Sequence, residues 1–303
     1  MNSSRPLRAL LVAPTWLLQR RLAQLIYPPG MQPDDFMQPP GEPALLPHDS
    51  VSWQVFANPV ALLVGGIAAV LLELAEPRVR TGVWEHTTFR EFPLLRLQRT
   101  GYAAMMAAFG ARSRTEAMIR GINAGHARIA GHTPDGAPYR ADDDELLTWV
   151  HATATFGFLQ AYVTCVHPLS AQQCDAWYAE NQASARLYGV AAPPASQRDF
   201  DALLARMRPQ LEPSFIVREF LAIMQAMPLL PGPLRWMQAL MVKAAIHALP
   251  QDIRERLELT DARWRLAPWQ WRLVRTLGHA ADHLSLPTLP AQLARRRMAL
   301  PAR

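Results

Sequence analysis

The sequence predicts an all-α protein built as a single large helical domain, and three observations support this class. Half of the 303 residues are hydrophobic and 18% are charged, so a sizeable buried core is expected. Glycine is scarce, at 15 residues, whereas proline is frequent, at 27, which suits helices separated by breaks better than a turn-rich β-sandwich. Runs of alternating β-branched residues, which would indicate strands, are almost absent.

The first 47 residues differ in composition from the rest of the chain. Leu7 to Ile26 is predicted as an amphipathic arm, and the proline-rich stretch that follows it is predicted as an extended linker, because prolines are excluded from helix interiors. The pattern leaves open whether the arm docks on the body, contacts a membrane surface or exchanges between subunits. Residues 48–303 are then expected to form the helical domain.

The first helices of the body follow from apolar runs and capping residues. Pro59 to Ala75 is apolar nearly all round and is predicted to be the central helix. Its uncharged run of residues 60–72 is shorter than the roughly 20 residues that span a bilayer, so a buried helix is favoured over a transmembrane one. A helix over 92–109 follows, and Ser113 with Glu116 predicts a capping box at the start of the next helix.

A loop over residues 131–140 is predicted from its glycines and prolines. Asp142 or Asp143 is expected to cap a helix from Asp144 to about Val166, and Ser170 another that ends at Gly189. Further helices are predicted near 199–210, 214–227, 232–248, 251–258, 268–284 and 289–298.

The formal charge of +6 and the pI of about 9.9 come almost wholly from arginine, since Lys243 is the only lysine. An anionic partner is one interpretation, but the arginines are spread along the chain, which favours a general compositional bias over nucleic-acid binding. The one dense cluster is residues 295–297. Two cysteines, Cys165 and Cys174, do not suggest a disulfide framework, and a reducing, cytoplasmic location is expected.

Common enzyme signatures are missing from the sequence, including a glycine-rich phosphate loop, HExxH, GxSxG, CxxC and paired ExxH motifs. Arg96 and Thr100 share one face of an apolar helix, and Arg99 lies on an adjoining face. An arginine in that setting needs an anionic partner or solvent. It therefore forms a structural ion pair, lies on an exposed face or binds a ligand.

Histidines on apolar helices are the other candidates for chemistry. His126 lies among small residues that would let a large flat group approach its helix, and His151 follows a tryptophan within "WVHAT". Each is either a satisfied core residue or a ligand. His279 and His283, with Asp282 between them, form either a shared metal site or an exposed pair.

Several segments together resemble one family. The order "DSVSWQVFANPVALLVGGIAAVLLELAEP", "GHARIAG", "PYRADDDELLTWVHAT" and "WYAENQASARLYGV" is similar to the catalytic domain shared by the mycophenolate-pathway side-chain oxygenase and the bacterial rubber oxygenases. The resemblance covers about residues 48 to 285 and is closer to bacterial members without a known substrate than to the rubber oxygenases. It implies an all-α fold with a globin-like core that holds a b-type haem.

The resemblance also implies roles for particular residues. His126 matches the axial haem ligand, Arg96 and Thr100 match positions close to the haem or its propionates, and Arg99 matches a basic pocket position. His151 belongs to a family hallmark. It is expected to support the pocket by a hydrogen bond to the haem-side helix or a propionate, and it is the second candidate for the iron ligand. Glu76 replaces a histidine that many relatives carry, and the catalytic base of rubber cleavage has no certain counterpart here.

The sequence therefore predicts a haem-dependent oxygenase that uses dioxygen to oxidise an apolar small molecule, with unsaturated or isoprenoid-like compounds among the candidates. Two alternatives from other classes stay open at this point. One is a haem-binding or gas-sensing protein without turnover, and the other is a helical protein that binds a lipid and no haem. Methionine- and phenylalanine-rich helices suit an apolar ligand in each of these cases.

Overall fold

The computed structural model describes residues 26–229, 235–283 and 286–301. Within these ranges the chain forms a single, predominantly helical domain, which confirms the all-α prediction. The predicted arm, Leu7 to Ile26, lies outside the described residues apart from its last residue.

Thirteen α-helices and one short hairpin make up the described ranges. In chain order the helices are α1 (Val51–Phe56), α2 (Pro59–Ala75), α3 (Pro77–His86), α4 (Pro93–Phe109), α5 (Arg112–His126), α6 (Asp144–Cys165), α7 (Ala171–Leu187), α8 (Gln197–Met207), α9 (Phe215–Ala226), α10 (Arg235–Ala248), α11 (Gln251–Arg256), α12 (Pro268–Asp282) and α13 (Pro290–Arg297). The antiparallel strands are β1 (Ala130–His132) and β2 (Pro138–Arg140).

Helices α2 and α6 form the centre of the domain, and each begins at a capping side chain. Asn58 accepts hydrogen bonds from the first backbone amides of α2, ahead of Pro59. Asp143 does the same for α6, which confirms that cap. The two helices pack closely because Gly65 and Gly157 face each other: a side-chain carbon added at Gly157 would lie 2.5 Å from the carbonyl oxygen of Gly65. Helices α10 and α12 pack around this pair.

The chain turns sharply at Glu76, where α2 ends and α3 begins at an angle of 108°. The buried Glu76 carboxylate accepts a hydrogen bond from the Val79 amide at 2.7 Å and pairs with Arg78 at 2.7 Å. The glutamate found in place of a histidine thus caps α3. Among the described residues, no single helix is long and apolar enough to cross a membrane, although the bent pair α2 and α3 together meet those criteria of length and composition.

Two local predictions are wrong. The Ser113–Glu116 capping box does not form, because the Ser113 amide and hydroxyl both bind the Glu42 carboxylate, at 2.6 and 2.8 Å, and α5 begins at Arg112 without a side-chain cap. The predicted loop over residues 131–140 is largely the β1–β2 hairpin, in which Gly131 pairs with Tyr139.

Other boundaries agree with the sequence. The Ser170 hydroxyl caps α7, and Gly189, just beyond that helix, has a φ of +97°, which glycine adopts without strain. Helices α8 to α13 lie within about one turn of their predicted positions. Both cysteines are free.

The described part of the proline-rich segment packs on the helical body. Phe36 is fully buried, and the buried Arg297 guanidinium donates to the carbonyl oxygens of Phe36, Glu42 and Phe109 at 2.6 to 2.8 Å. Arg295 lies 5.8 Å from the centre of the Trp53 ring. Two arginines of the dense cluster therefore serve internal contacts, and the boundary at residue 47 stays a prediction.

We expect Gly157→Ala to destabilise the protein by about 1–3 kcal/mol, because the new methyl group would force α2 and α6 apart. Urea unfolding followed by circular dichroism measures this change. Gly66→Ala is the matched control, since its added carbon would lie 3.9 Å from the Phe158 ring and alanine favours the helix. Equal stability of the two variants would contradict this account of the core.

Candidate functional site

Four side chains from four different helices converge beside the central pair. Glu73 comes from α2, Arg96 from α4, His126 from α5 and Thr153 from α6. We call the region that they share the crevice. Glu73, Arg96 and His126 are half-buried, whereas Thr153 is fully buried. Helices α2 and α6 pack on each other, and so do α4 and α5. Helix α4 also contacts α1 and α13.

Valines lie one turn from Glu73 and from Thr153 on their helices, and exposed glycines lie near His126 in the sequence. Val70 and Val150 lie one turn before Glu73 and Thr153 on their respective helices, and both are partly exposed. On α5, a side-chain carbon added at Gly121 or Gly125 would meet no atom within 4 Å. The helix surface next to His126 is therefore open, as the small residues in the sequence predicted.

Arg96 is held by a neighbour on its own helix and by a charge across the crevice. Its guanidinium donates a hydrogen bond to the Thr100 hydroxyl, which also donates to the Arg96 carbonyl at 3.0 Å. Burial lowers the pKa of Arg96, and the Glu73 carboxylate opposes that shift. The predicted pairing of Arg96 with Thr100 on one face is confirmed, whereas Arg99 is exposed.

Glu73 is the site residue that the sequence reasoning missed. Burial raises the pKa of its carboxyl group to about 7, and the Arg96 charge and a hydrogen bond with Thr153 only partly offset the effect. A carboxyl group with a pKa of about 7 gains or loses its proton near neutral pH. The sequence could have indicated this residue, because Glu73 ends the uncharged run of α2. A carboxylate on so apolar a helix requires a cation from another part of the chain.

His126 is the last residue of α5, and one nitrogen of its imidazole ring makes no hydrogen bond to the described residues. Its Nδ1 atom is buried and has no hydrogen-bond partner among the described residues. Burial, followed by the nearby positive charge of Arg96, lowers the pKa of His126. The ring is therefore neutral at physiological pH, which is the form that binds metals.

His151 contacts two hydroxyl groups, one on its own helix and one on α7. Its Nε2 lies 3.2 Å from the Ser184 hydroxyl on α7, and its Nδ1 lies 3.4 Å from the Thr155 hydroxyl one turn along α6. Residues two apart on a helix point about 200° apart, so His151 faces α7 while Thr153 faces the crevice. In this structure the His151 side chain joins α6 to α7, and its expected support of a haem pocket stays a prediction. Burial lowers the pKa of His151 to about 4, which keeps the ring neutral.

His279 and His283, which the sequence left as either a shared metal site or an exposed pair, have different surroundings. The His279 Nδ1 atom lies 3.4 Å from the Nε2 atom of His167, which in turn lies 3.6 Å from the Asp282 carboxylate, while His283 is exposed. Across the part of the chain that the structure describes, no group of three or more His, Cys, Asp or Glu residues is arranged to hold a metal ion. A metal bound here through several protein ligands is therefore not supported.

Comparison with known proteins gives one match. The model of the family described as "ER-bound oxygenase mpaB/B'/Rubber oxygenase, catalytic domain" matches residues 53–282, which include all four residues of the crevice. No curated protein and no solved structure matches the chain.

We expect the pKa of Glu73 to be visible in the pH dependence of stability. Because this pKa rises from 4.5 to about 7 on folding, the folded protein binds an extra proton between these values, and stability falls as the pH rises through that window. Glu73→Gln removes this contribution. Relative to the variant, the wild type should therefore lose roughly 2–3 kcal/mol between pH 5 and pH 8. Urea unfolding at both pH values tests this, and parallel losses in the two proteins would show that Glu73 titrates normally.

Proposed function

Because the chain belongs to the catalytic-domain family of the oxygenase mpaB/B' and the rubber oxygenases, we propose that it is a haem-dependent oxygenase. It uses dioxygen to oxidise an apolar small molecule, and unsaturated or isoprenoid-like compounds are the class to test first. The observation that carries the proposal is the convergence of His126, Arg96 and Glu73 in one apolar crevice. These side chains would offer a bound cofactor one ligand, one cation and one proton acceptor.

The residues present fit a b-type haem. The neutral His126 imidazole has a buried nitrogen without a hydrogen-bond partner among the described residues, and this side chain would hold the haem iron. Arg96, fixed by Thr100, offers a guanidinium that pairs with a propionate carboxylate. The open surface beside Gly121 and Gly125 lets a flat ring system approach α5. His151 is the weaker candidate for the ligand, since hydroxyl groups already contact both of its ring nitrogens.

When bound, the haem would supply the iron chemistry that activates dioxygen. The protein's own residues would govern the surroundings of that reaction. His126 holds the cofactor without carrying a charge. Glu73, whose pKa is close to 7, accepts or returns a proton at its carboxylate oxygens near neutral pH. Val70 and Val150, one turn from Glu73 and Thr153 on their helices, would favour an apolar substrate over water.

The first test is the visible spectrum of the haem-supplemented protein. We expect a Soret band in the wild type that is lost or shifted in His126→Ala, because the variant lacks the proposed ligand. His132→Ala, at an exposed position on β1, is the matched control and should keep the band.

Each other result has a clear meaning for the proposal. An unchanged band in His126→Ala with a loss in His151→Ala would move the ligand to His151. The absence of a band in the wild type would overturn haem dependence. A normal band without oxygen consumption, in the presence of a reductant and candidate alkenes, would favour the haem-binding or gas-sensing alternative.

Arg96→Ala should speed haem loss by about 10-fold or more, because a charge-assisted hydrogen bond contributes roughly 1.5–3 kcal/mol. Transfer of haem to a scavenging globin measures the rate. Arg120→Ala, at an exposed position on α5, removes the same charge outside the crevice and should leave the rate within about twofold of the wild type. Equal effects of the two variants would show that Arg96 acts only through net charge.

A further inference from the structure

Two buried polar atoms near the end of α5 have no hydrogen-bond partner among the described residues. They are the Nδ1 atom of His126 and the Oδ1 atom of Asn123. The two residues are three apart on α5 and are therefore neighbours on one face of the helix, with Cβ atoms about 5–6 Å apart. Buried polar atoms without a partner are rare in folded proteins, so two of them one turn apart require a common explanation.

The amide of Asn123 is oriented by a contact with another helix. Its Nδ2 atom donates a hydrogen bond to the carbonyl oxygen of Leu187, the last residue of α7, at 2.8 Å. This bond fixes which end of the amide meets α7, because only the nitrogen can donate to a carbonyl group. The Oδ1 atom is thereby left as an acceptor that no donor among the described residues uses.

The chemistry of a metal-binding imidazole requires such an acceptor. A neutral ring carries one proton, and the nitrogen without it is the one that binds a metal ion. When the buried Nδ1 atom of His126 carries the proton, it becomes a donor that needs an acceptor, and Nε2 keeps the lone pair. Histidines that bind metals generally hold this state through a hydrogen bond from the second ring nitrogen to an oxygen atom.

Two charged groups act electrostatically on His126, and neither is a free acceptor. They are Arg96 and Asp142. A guanidinium group only donates hydrogen bonds. The two carboxylate oxygens of Asp142 each accept a hydrogen bond from Arg140, at 2.9 and 3.0 Å. The Oδ1 atom of Asn123 is therefore the best acceptor for the His126 ring among these groups.

We propose that Asn123 is a positioning residue for His126: its Oδ1 atom accepts a hydrogen bond from Nδ1–H, and Nε2 is left as the nitrogen that holds the iron. The helical spacing puts the two short side chains within reach of each other. The Leu187 contact keeps the amide from turning its nitrogen toward the ring. This inference rests on the proposed haem site, since it assigns the ligand atom of His126.

The first test uses the full-length, haem-free protein with nitrogen-15 in its histidines, at pH 8, where NMR distinguishes the two neutral forms of the ring. We expect His126 to carry its proton mainly on Nδ1, whereas a free histidine favours Nε2. Asn123→Leu should shift His126 toward the Nε2–H form, because leucine cannot accept a hydrogen bond. Asn123→Asp keeps an acceptor oxygen and loses the donor to Leu187, so it should retain the Nδ1–H form.

The controls separate the acceptor from a general effect of substitution. Asp142→Asn, at the other candidate acceptor, should leave the proton of His126 on Nδ1. His151 is an internal reference in every spectrum, because its ring nitrogens contact hydroxyl groups of other residues. An Nε2–H ring in the wild type would overturn the proposal without any variant. A change in Asp142→Asn but not in Asn123→Leu would overturn it in favour of Asp142.

A second measurement uses the haem-loaded protein. Asn123→Leu should speed the transfer of haem to a scavenging globin by about 10-fold or more, because partners of this kind typically change metal affinity 10- to 100-fold. Asp142→Asn should stay within about twofold of the wild type. Circular dichroism checks that the variants are folded.

The two measurements distinguish failure of this proposal from failure of the proposed function. A Soret band that depends on His126, together with an unchanged ring form and an unchanged rate of haem loss in Asn123→Leu, would overturn the role of Asn123 alone. An Nδ1–H ring that depends on Asn123, in a protein that shows no Soret band, would support the hydrogen bond and overturn the assignment of Nε2 to iron.

Discussion

Helix α2 packs against α6 at Gly65 and Gly157, where neither position has room for a side chain, and the rest of the structure depends on this close approach. It brings Glu73 of α2 within hydrogen-bonding reach of Thr153 on α6. Helix α12 comes equally close to the end of α6, since an added carbon at Gly278 would clash with the Cys165 carbonyl oxygen. Three glycines thus fix the backbone that carries the crevice, because tightly packed backbones do not tolerate even one extra methyl group.

The crevice combines groups that an apolar interior normally excludes. A half-buried arginine and a glutamate oppose each other across it, and the cost of dehydration outweighs their attraction enough to raise the pKa of Glu73 toward neutrality. Such a perturbed pair beside an unpartnered imidazole is typical of a functional site, since a purely structural role would be served as well by apolar side chains. The family assignment supports an oxygenase-related role, and the perturbed groups mark where in the fold we propose the functional site.

The two histidines show how packing separates similar sequence signals. Both lie on apolar helices, and from the residues alone either could be a core residue or a ligand. In the fold, His151 joins α6 to α7 through Ser184, while the Nδ1 atom of His126 keeps its binding capacity.

The sequence by itself determined the helical class, the central position of α2, the caps at Asp143 and Ser170 and the shared face of Arg96 and Thr100. These features depend on local periodicity and on hydrogen bonds between near neighbours. Only the tertiary structure decided that Ser113 binds Glu42 instead of capping α5, that residues 130–140 pair as a hairpin, and that Glu73 meets Arg96. The partners in each of those cases come from separate segments, and a local pattern does not specify which distant group folding will bring into contact.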